Sequence, residues 1–171
     1  NRSHNSTQAI QAIRVLKKSK ITNINVDLIY GFPLLDNSSW VKNLEQVAQF
    51  NIPHISCYCL TVEKKTPLFY FIKKKKCRPL DSNTGKLQFL IARNILINRG
   101  YRHYEISNFA QTKFESVHNQ NYWNNTKYLG VGPSAHSFDG KSRQWNIKNN
   151  AIYCKKIANN QAHYIEEKLT K

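Results

Sequence analysis

The stretch from Ile24 to Thr61 narrows the folds open to this chain more than any other. Ile24 to Tyr30 is a short, mostly apolar, β-branched run ending in Gly31-Phe32-Pro33, the composition of a buried strand that enters a loop. From Ser38 or Ser39 onward, Trp40, Leu44, Val47 and Ala48 fall on one helical face, and His54 to Thr61 reads as the next strand. Strand, loop, helix and strand within about 35 residues form a βαβ unit, whose strands run parallel through a right-handed crossover. A helix ahead of it, from Ser6 or Thr7 to Lys18 with Ile10, Ile13 and Leu16 at helical spacing, gives the order α, β, α, β.

Beyond the unit, Lys64 to Ser82 carries Pro67, Pro79 and the run Lys73-Lys74-Lys75-Lys76, and is expected to be an irregular surface connection. A long helix is expected from about Ser82 to Arg99, with Leu87, Leu90, Ile91, Ile95 and Leu96 buried and Gly100 closing it. Tyr104 to Phe109 is a candidate third strand. Gln111 to Asn150 is rich in aromatics, Asn and Gly without clear periodicity, and a short helix is expected over Asn149 to Ala158. The charged run from His163 to Lys168 reads as the start of another helix. Alternating βα units point to a barrel or a doubly wound sheet, with too few strands to close either. A start at Asn1 and the lack of any Met read as a fragment of a longer protein.

A net charge of +16 would by itself suggest a polyanionic partner. Lys, Asn and Ile are over-represented together and without positional pattern, as a biased nucleotide composition would produce. The one cluster, Lys73 to Lys76, has no repeated aromatic stacking positions around it, so it reads as a solvated basic loop and no nucleic-acid partner is expected. A basic nucleic-acid-binding domain is the alternative from another class. No apolar run approaches the roughly 18 residues needed to span a bilayer, and the start lacks a signal-peptide pattern, so a cytoplasmic protein is expected, with peripheral membrane association at most. The four cysteines are too scattered for a disulfide framework. Cys57 and Cys59 share a strand face at a spacing that fits neither zinc nor redox motifs and read as small core residues, while Cys77 and Cys154 have no companions.

Two places carry residues suited to chemistry. Within Asn25 to Tyr30, Asn25, Asp27 and Ile29 share one face and Val26, Leu28 and Tyr30 the other. An acid inside a parallel strand covered on both sides needs a partner or a ligand. The readings are an Asp paired to a neighbouring strand or loop, or ligand binding at the strand's C-terminal end. His118-Asn119-Gln120-Asn121-Tyr122-Trp123 gathers an imidazole, amides and two large aromatics, which suit either hydrogen bonding in a loop or a flat, metal-bearing macrocycle. Tyr128 to Ser137 holds Gly130 and Gly132 and suits close backbone approach to a ligand or another strand; it is not a phosphate loop.

Arg2-Ser3-His4, Asn25 to Pro33, Tyr104 to Ala110, His118 to Trp123 and Tyr128 to Gly132 resemble, in order and spacing, the heme chaperone branch of the coproporphyrinogen dehydrogenase-like radical SAM family. The resemblance covers nearly the whole chain. It implies part of a radical SAM (β/α)6 partial TIM barrel over residues 1–110, the barrel's second half. An aromatic-rich, family-specific extension then follows over residues 111–171, leading toward a C-terminal domain. It further implies that Arg2 and Asp27, with Thr61 by looser alignment, lie at an S-adenosyl-L-methionine site, and that His118 and Tyr122 match a heme-associated element. The family carries a 4Fe-4S cluster on CxxxCxxC, which is absent here, so no residue of this chain is a metal ligand by that pattern and the chain alone is not expected to start radical chemistry. After Pro33 the family usually has Gly-Gln-Thr, where this chain has Leu34-Leu35-Asp36. The implied function is heme binding and delivery to a respiratory partner. The alternative is oxygen-independent coproporphyrinogen III oxidase activity, converting coproporphyrinogen III to protoporphyrinogen IX.

Overall fold

The computed structural model describes residues 4–79 and 81–169. The chain divides into two compact units, Asn1–Glu115 and Ser116–Lys171. The first contains α1 (Ser6–Lys18), β1 (Asn25–Tyr30), α2 (Asn37–Gln49), β2 (His54–Cys59), α3 (Pro67–Lys73), α4 (Ser82–Asn98), β3 (Arg102–His103) and β4 (Asn108–Ala110). Its sheet has the order β1-β2-β4-β3, with β1 and β2 parallel as the βαβ reading requires. β4 runs antiparallel to both β2 and β3. The expected strand over Tyr104 to Phe109 is thus interrupted: the Glu105 carboxylate accepts the Ser107 N–H at 2.8 Å and turns the chain, so β3 and β4 form an antiparallel pair.

Local signals explain where the helices begin. The Asn5 side chain accepts the Gln8 N–H while the Gln8 side chain accepts the Asn5 N–H, a reciprocal capping box on α1. Asp36 accepts the Ser39 N–H at the start of α2, and that bond, with others from Ser38 and Ser39, holds its carboxyl below the usual range. Thr66 caps α3 with Pro67 in its first turn, which places a helix inside the segment expected to be irregular. The Thr-Pro pair was the available signal. Asn98 ends α4, and Gly100 takes φ +87°, as a residue just past a helix end does.

One face of the sheet carries the core. Trp40, Leu44 and Val47 of α2 and Ala92 and Leu96 of α4 pack over Tyr30, Ile55, Cys57 and Phe109. The α4 face differs from the expected one: Gly85, Gln88, Ala92 and Leu96 are buried, and Leu87 and Leu90 are 47% and 41% exposed. Small residues at positions 85 and 92 let the helix approach the sheet closely; a Cβ at Gly85 would already lie 3.4 Å from the Cys59 Sγ. That approach turns the bulkier leucines outward.

Gln88 joins this helix to the loop after β1. Its Oε1 accepts the Gly31 N–H at 2.8 Å, its Nε2 donates to the Leu35 carbonyl at 2.9 Å, and its own carbonyl accepts the Trp40 indole N–H at 2.8 Å. All of this lies in the dry interior, where an unmade bond is expensive.

The second unit contains α5 (Val117–Trp123), β5 (His136–Phe138), β6 (Ser142–Asn146), α6 (Asn150–Ala158) and β7 (Tyr164–Lys168), with an antiparallel sheet in the order β5-β6-β7. The run from His163 to Lys168 is therefore strand, not helix. All of β7 is exposed, so pairing with β6 and not side-chain burial defines it.

Gln88→Leu should strand the Gly31 N–H and the Leu35 carbonyl, each costing about 1–3 kcal/mol. Leu87→Ala, on the outward face, should change stability by no more than about 0.5 kcal/mol. Urea unfolding of both variants checks the orientation of α4.

Candidate functional site

The register of the sheet builds its polar face in two rows. Asn25 stands beside His54 and Ala110, and Asp27 beside Ser56 and Asn108. Because alternate residues of a strand share a face, these side chains lie opposite the helix-covered core. The structure corrects one expectation here: Asp27 is exposed, on β1 at the edge of the four-stranded sheet. It opens onto a groove of about 630 Å³ bounded by α1, β1 and α2 and lined by His4, Ile13, Asp27, Asn43 and Phe50 among others.

A hydrogen-bonded series ends at that carboxylate. The Asn25 Nδ2 donates to Asp27 Oδ1 at 2.6 Å and lies 3.1 Å from Ser56 Oγ. Asn25 Oδ1 faces His54 Nδ1 at 2.6 Å, and His54 Nε2 faces the Tyr104 hydroxyl at 2.7 Å. His54 is only 6% exposed. Burial holds its imidazole below the usual histidine range, against the opposing pull of Asp27, Glu105 and Glu115. In the neighbouring row Asn108, 4% exposed, donates through Nδ2 to Glu105, while its Oδ1 has no hydrogen-bond partner among the described residues. A buried acceptor without a donor on the same face as Asp27 is the local feature that fits a ligand bearing N–H or O–H groups.

At the C-terminal ends of β1 and β2, a cavity of about 420 Å³ is lined by Tyr30, Gly31, Cys59, Asp81, Gly85 and Phe89. Gly31 has φ +78°, and a Cβ there would come within 2.9 Å of the Cys59 Sγ. Burial pushes the Tyr30 hydroxyl and the Cys57 thiol each up to about 12, so neither ionises near neutrality. Cys57 is a core residue as expected; Cys59 is exposed, although its sulfur fills the space left by two glycines.

The residues singled out from sequence fall in different places. Arg2 lies outside the described residues. Thr61 is exposed and sits two residues beyond the end of β2, past the C-terminal end of the strand and away from the row of Asp27 and Ser56. His118 and Tyr122 belong to the second unit, and they are not in a loop: they sit one turn apart on α5. Their rings meet edge-on with centroids 4.9 Å apart, and Tyr122 meets Tyr128 at 5.0 Å, itself 6.2 Å from Phe138. A cavity of about 400 Å³ beside Tyr128 and Phe138 also takes in Lys127, Leu129 and Asp139. Gly130 packs against the strand β5, where a Cβ would collide with the His136 carbonyl, so its role is strand contact. His54, Ser56 and Tyr104 were missed as site residues; the alternation that put Asn25 and Asp27 on one face applies equally to His54 and Ser56 once the strands are paired.

Among the described residues no group of three His, Cys, Asp or Glu side chains is placed to hold a metal ion. The cysteines are dispersed as well, so the residues present do not fit a 4Fe-4S cluster. No helix among the described residues is long and apolar enough to cross a membrane.

The unfolded chain takes up a proton at His54 near the ordinary value of 6.5, whereas the folded chain resists until lower pH. This contribution to stability is therefore complete above 6.5 and is lost as the pH falls below it toward the folded value. The urea midpoint should fall on acidification through that interval, and His54→Gln should flatten the dependence.

No family model matches the chain. It is 38% identical over 145 residues to the heme chaperone HemW of Buchnera aphidicola subsp. Schizaphis graminum, an alignment covering 85% of this chain and 36% of that protein. The heme chaperone HemW of Lactococcus lactis is 32% identical over 151 residues, covering 85% of this chain and 38% of the relative. Radical S-adenosyl methionine domain-containing protein 1, mitochondrial, of Danio rerio is 33% identical over 135 residues, covering 79% and 30% respectively. Among solved structures, the radical SAM enzyme coproporphyrinogen III oxidase (HemN) of Escherichia coli matches with a TM-score of 0.72 at 24% identity, over 99% of this chain and 42% of that one. The α/β fold is therefore that of a radical SAM protein, and the chain spans about a third of the length of the curated relatives it matches.

Proposed function

We propose that this chain, which belongs to the HemW/HemN-like radical SAM family, is the part of a heme-handling protein that supplies one side of an S-adenosylmethionine site and a heme-contacting element. The observation that carries the heme reading is the stacking of His118, Tyr122 and Tyr128 into one series of edge-on rings on and beside α5. An exposed imidazole suits an iron ligand, the aromatic rings suit a flat macrocycle, and Lys127 in the adjoining cavity suits a propionate carboxylate. Heme is cargo in this reading, to be passed to a respiratory acceptor.

For S-adenosylmethionine, the exposed Asp27 carboxylate supports a contact to the hydroxyl or ammonium groups of the ligand, with Arg2 and Thr61 as further contacts. Bound there in the whole protein, S-adenosylmethionine would supply radical chemistry. This chain's own share is to accept hydrogen bonds at the exposed Asp27 carboxylate. In that whole protein, residues 1–110 serve as the second half of the barrel and residues 111–171 as the heme-associated extension. A cytoplasmic location belongs to the same reading; the Danio rerio relative is named as mitochondrial.

Heme titration of the chain followed in the Soret region tests the reading. His118→Ala should weaken heme binding by about tenfold or more, equivalent to at least 1.4 kcal/mol, and move the Soret band. Unchanged affinity with an unchanged band would remove His118 from the site.

A further inference from the structure

We infer that Asn25 and His54 are positioning residues for the Asp27 carboxylate, a role that rests on the reading of Asp27 as a ligand contact. The chemistry of the groups fixes every donor in the series. An ionised carboxylate only accepts, so the Asn25 amide nitrogen is the atom that faces Asp27 Oδ1, at 2.6 Å. The Asn25 oxygen is then turned the other way, toward His54 Nδ1 at 2.6 Å. That oxygen also only accepts, so Nδ1 carries the proton of a neutral imidazole. The His54 Nε2 is left with a lone pair and accepts from the Tyr104 hydroxyl 2.7 Å away. Donors therefore point one way, from Tyr104 through His54 and Asn25 to Asp27, and each bond polarises the next.

Two further features suit this role. His54 is anchored from both ring nitrogens within the buried part of the face, while Asp27 stands at the exposed end, so order is transmitted outward from a fixed group. The series also engages Asp27 through Oδ1 alone, and Oδ2 has no hydrogen-bond partner among the described residues. Ser56 Oγ, within 3.1 Å of the Asn25 nitrogen and 3.3 Å of its oxygen, braces the amide from the neighbouring strand.

A double-mutant cycle on the full chain tests the assignment, with S-adenosylmethionine as the titrated ligand in calorimetry. Asn25→Ala should lower affinity about tenfold in the native background and not at all in the background of Asp27→Ala. The isosteric Asn25→Asp keeps an acceptor for His54 but has no donor for Asp27, and should fail to restore affinity. Equal losses from Asn25→Ala in both backgrounds, or full affinity in Asn25→Asp, would overturn the positioning role. If Asp27→Ala itself leaves affinity unchanged, the ligand reading of Asp27 fails instead, and imidazole nitrogen-15 spectra decide the series on their own. They should show His54 as the Nδ1–H tautomer, giving up that preference in Asn25→Ala; an Nε2–H tautomer in the native chain would overturn the inference.

Discussion

The parallel register of β1 with β2, Asn25 beside His54 and Asp27 beside Ser56, is the constraint on which the first unit depends. A slip of one residue would carry Val26, Leu28 and Tyr30 to the polar face and Asn25 and Asp27 under the helices. Neither face tolerates that exchange. On the helix side, Tyr30 meets Trp40 with ring centroids 5.4 Å apart, and the fully buried Trp40 and Leu44 leave no room for an acid. On the other side, the Asn25 amide has to reach both His54 and Asp27. The crossover helix α2 and the Gln88 clamp then fix the loop after β1, which brings Gly31 against Cys59 at the C-terminal end of both strands.

Such a polar face is a poor way to stabilise a sheet and a good way to prepare a site. Burial disfavours a charged His54, and Asn108 keeps a buried oxygen without a donor among the described residues. Open α/β sheets commonly meet ligands near the carboxyl ends of their strands, and Thr61 and the cavity beside Tyr30 lie there, while Asp27 lies further back on the edge strand. The second unit follows a different logic, in which aromatic rings and the His118 imidazole are arranged by a short capped helix and an antiparallel sheet.

Much of this was legible in the sequence where a local signal and the tertiary outcome agree. The β-branched run at Ile24 to Tyr30 and the apolar stripe of Trp40, Leu44 and Val47 dictate the βαβ unit, and alternation alone put Asn25 and Asp27 on one face. Features set by partners distant in sequence were not legible. Leu87 and Leu90 look like core residues, but Gly85 and Ala92 allow a closer approach, and only the position of the sheet shows that this face wins. The antiparallel β4 depends on the turn made by Glu105, and the exposed β7 exists only because β6 is there to pair with it. Parallel strands are usually buried, which points to a buried Asp27; its exposure on the first strand of the sheet depends on what packs around β1, which no single strand reveals. His54 was read simply as a strand residue, because its partners are Asn25 on β1 and Tyr104 far downstream.

Amide chemical-shift mapping of the chain during titration with S-adenosylmethionine bears most directly on the claim that the polar face of β1 and β2 is a ligand face. Saturable shifts should appear at Asn25, Asp27, Ser56 and Thr61, with Leu44 and Leu96 on the opposite, helix-covered side unmoved. Saturable shifts confined to Ser116–Lys171, or to the helix-covered core, would contradict it.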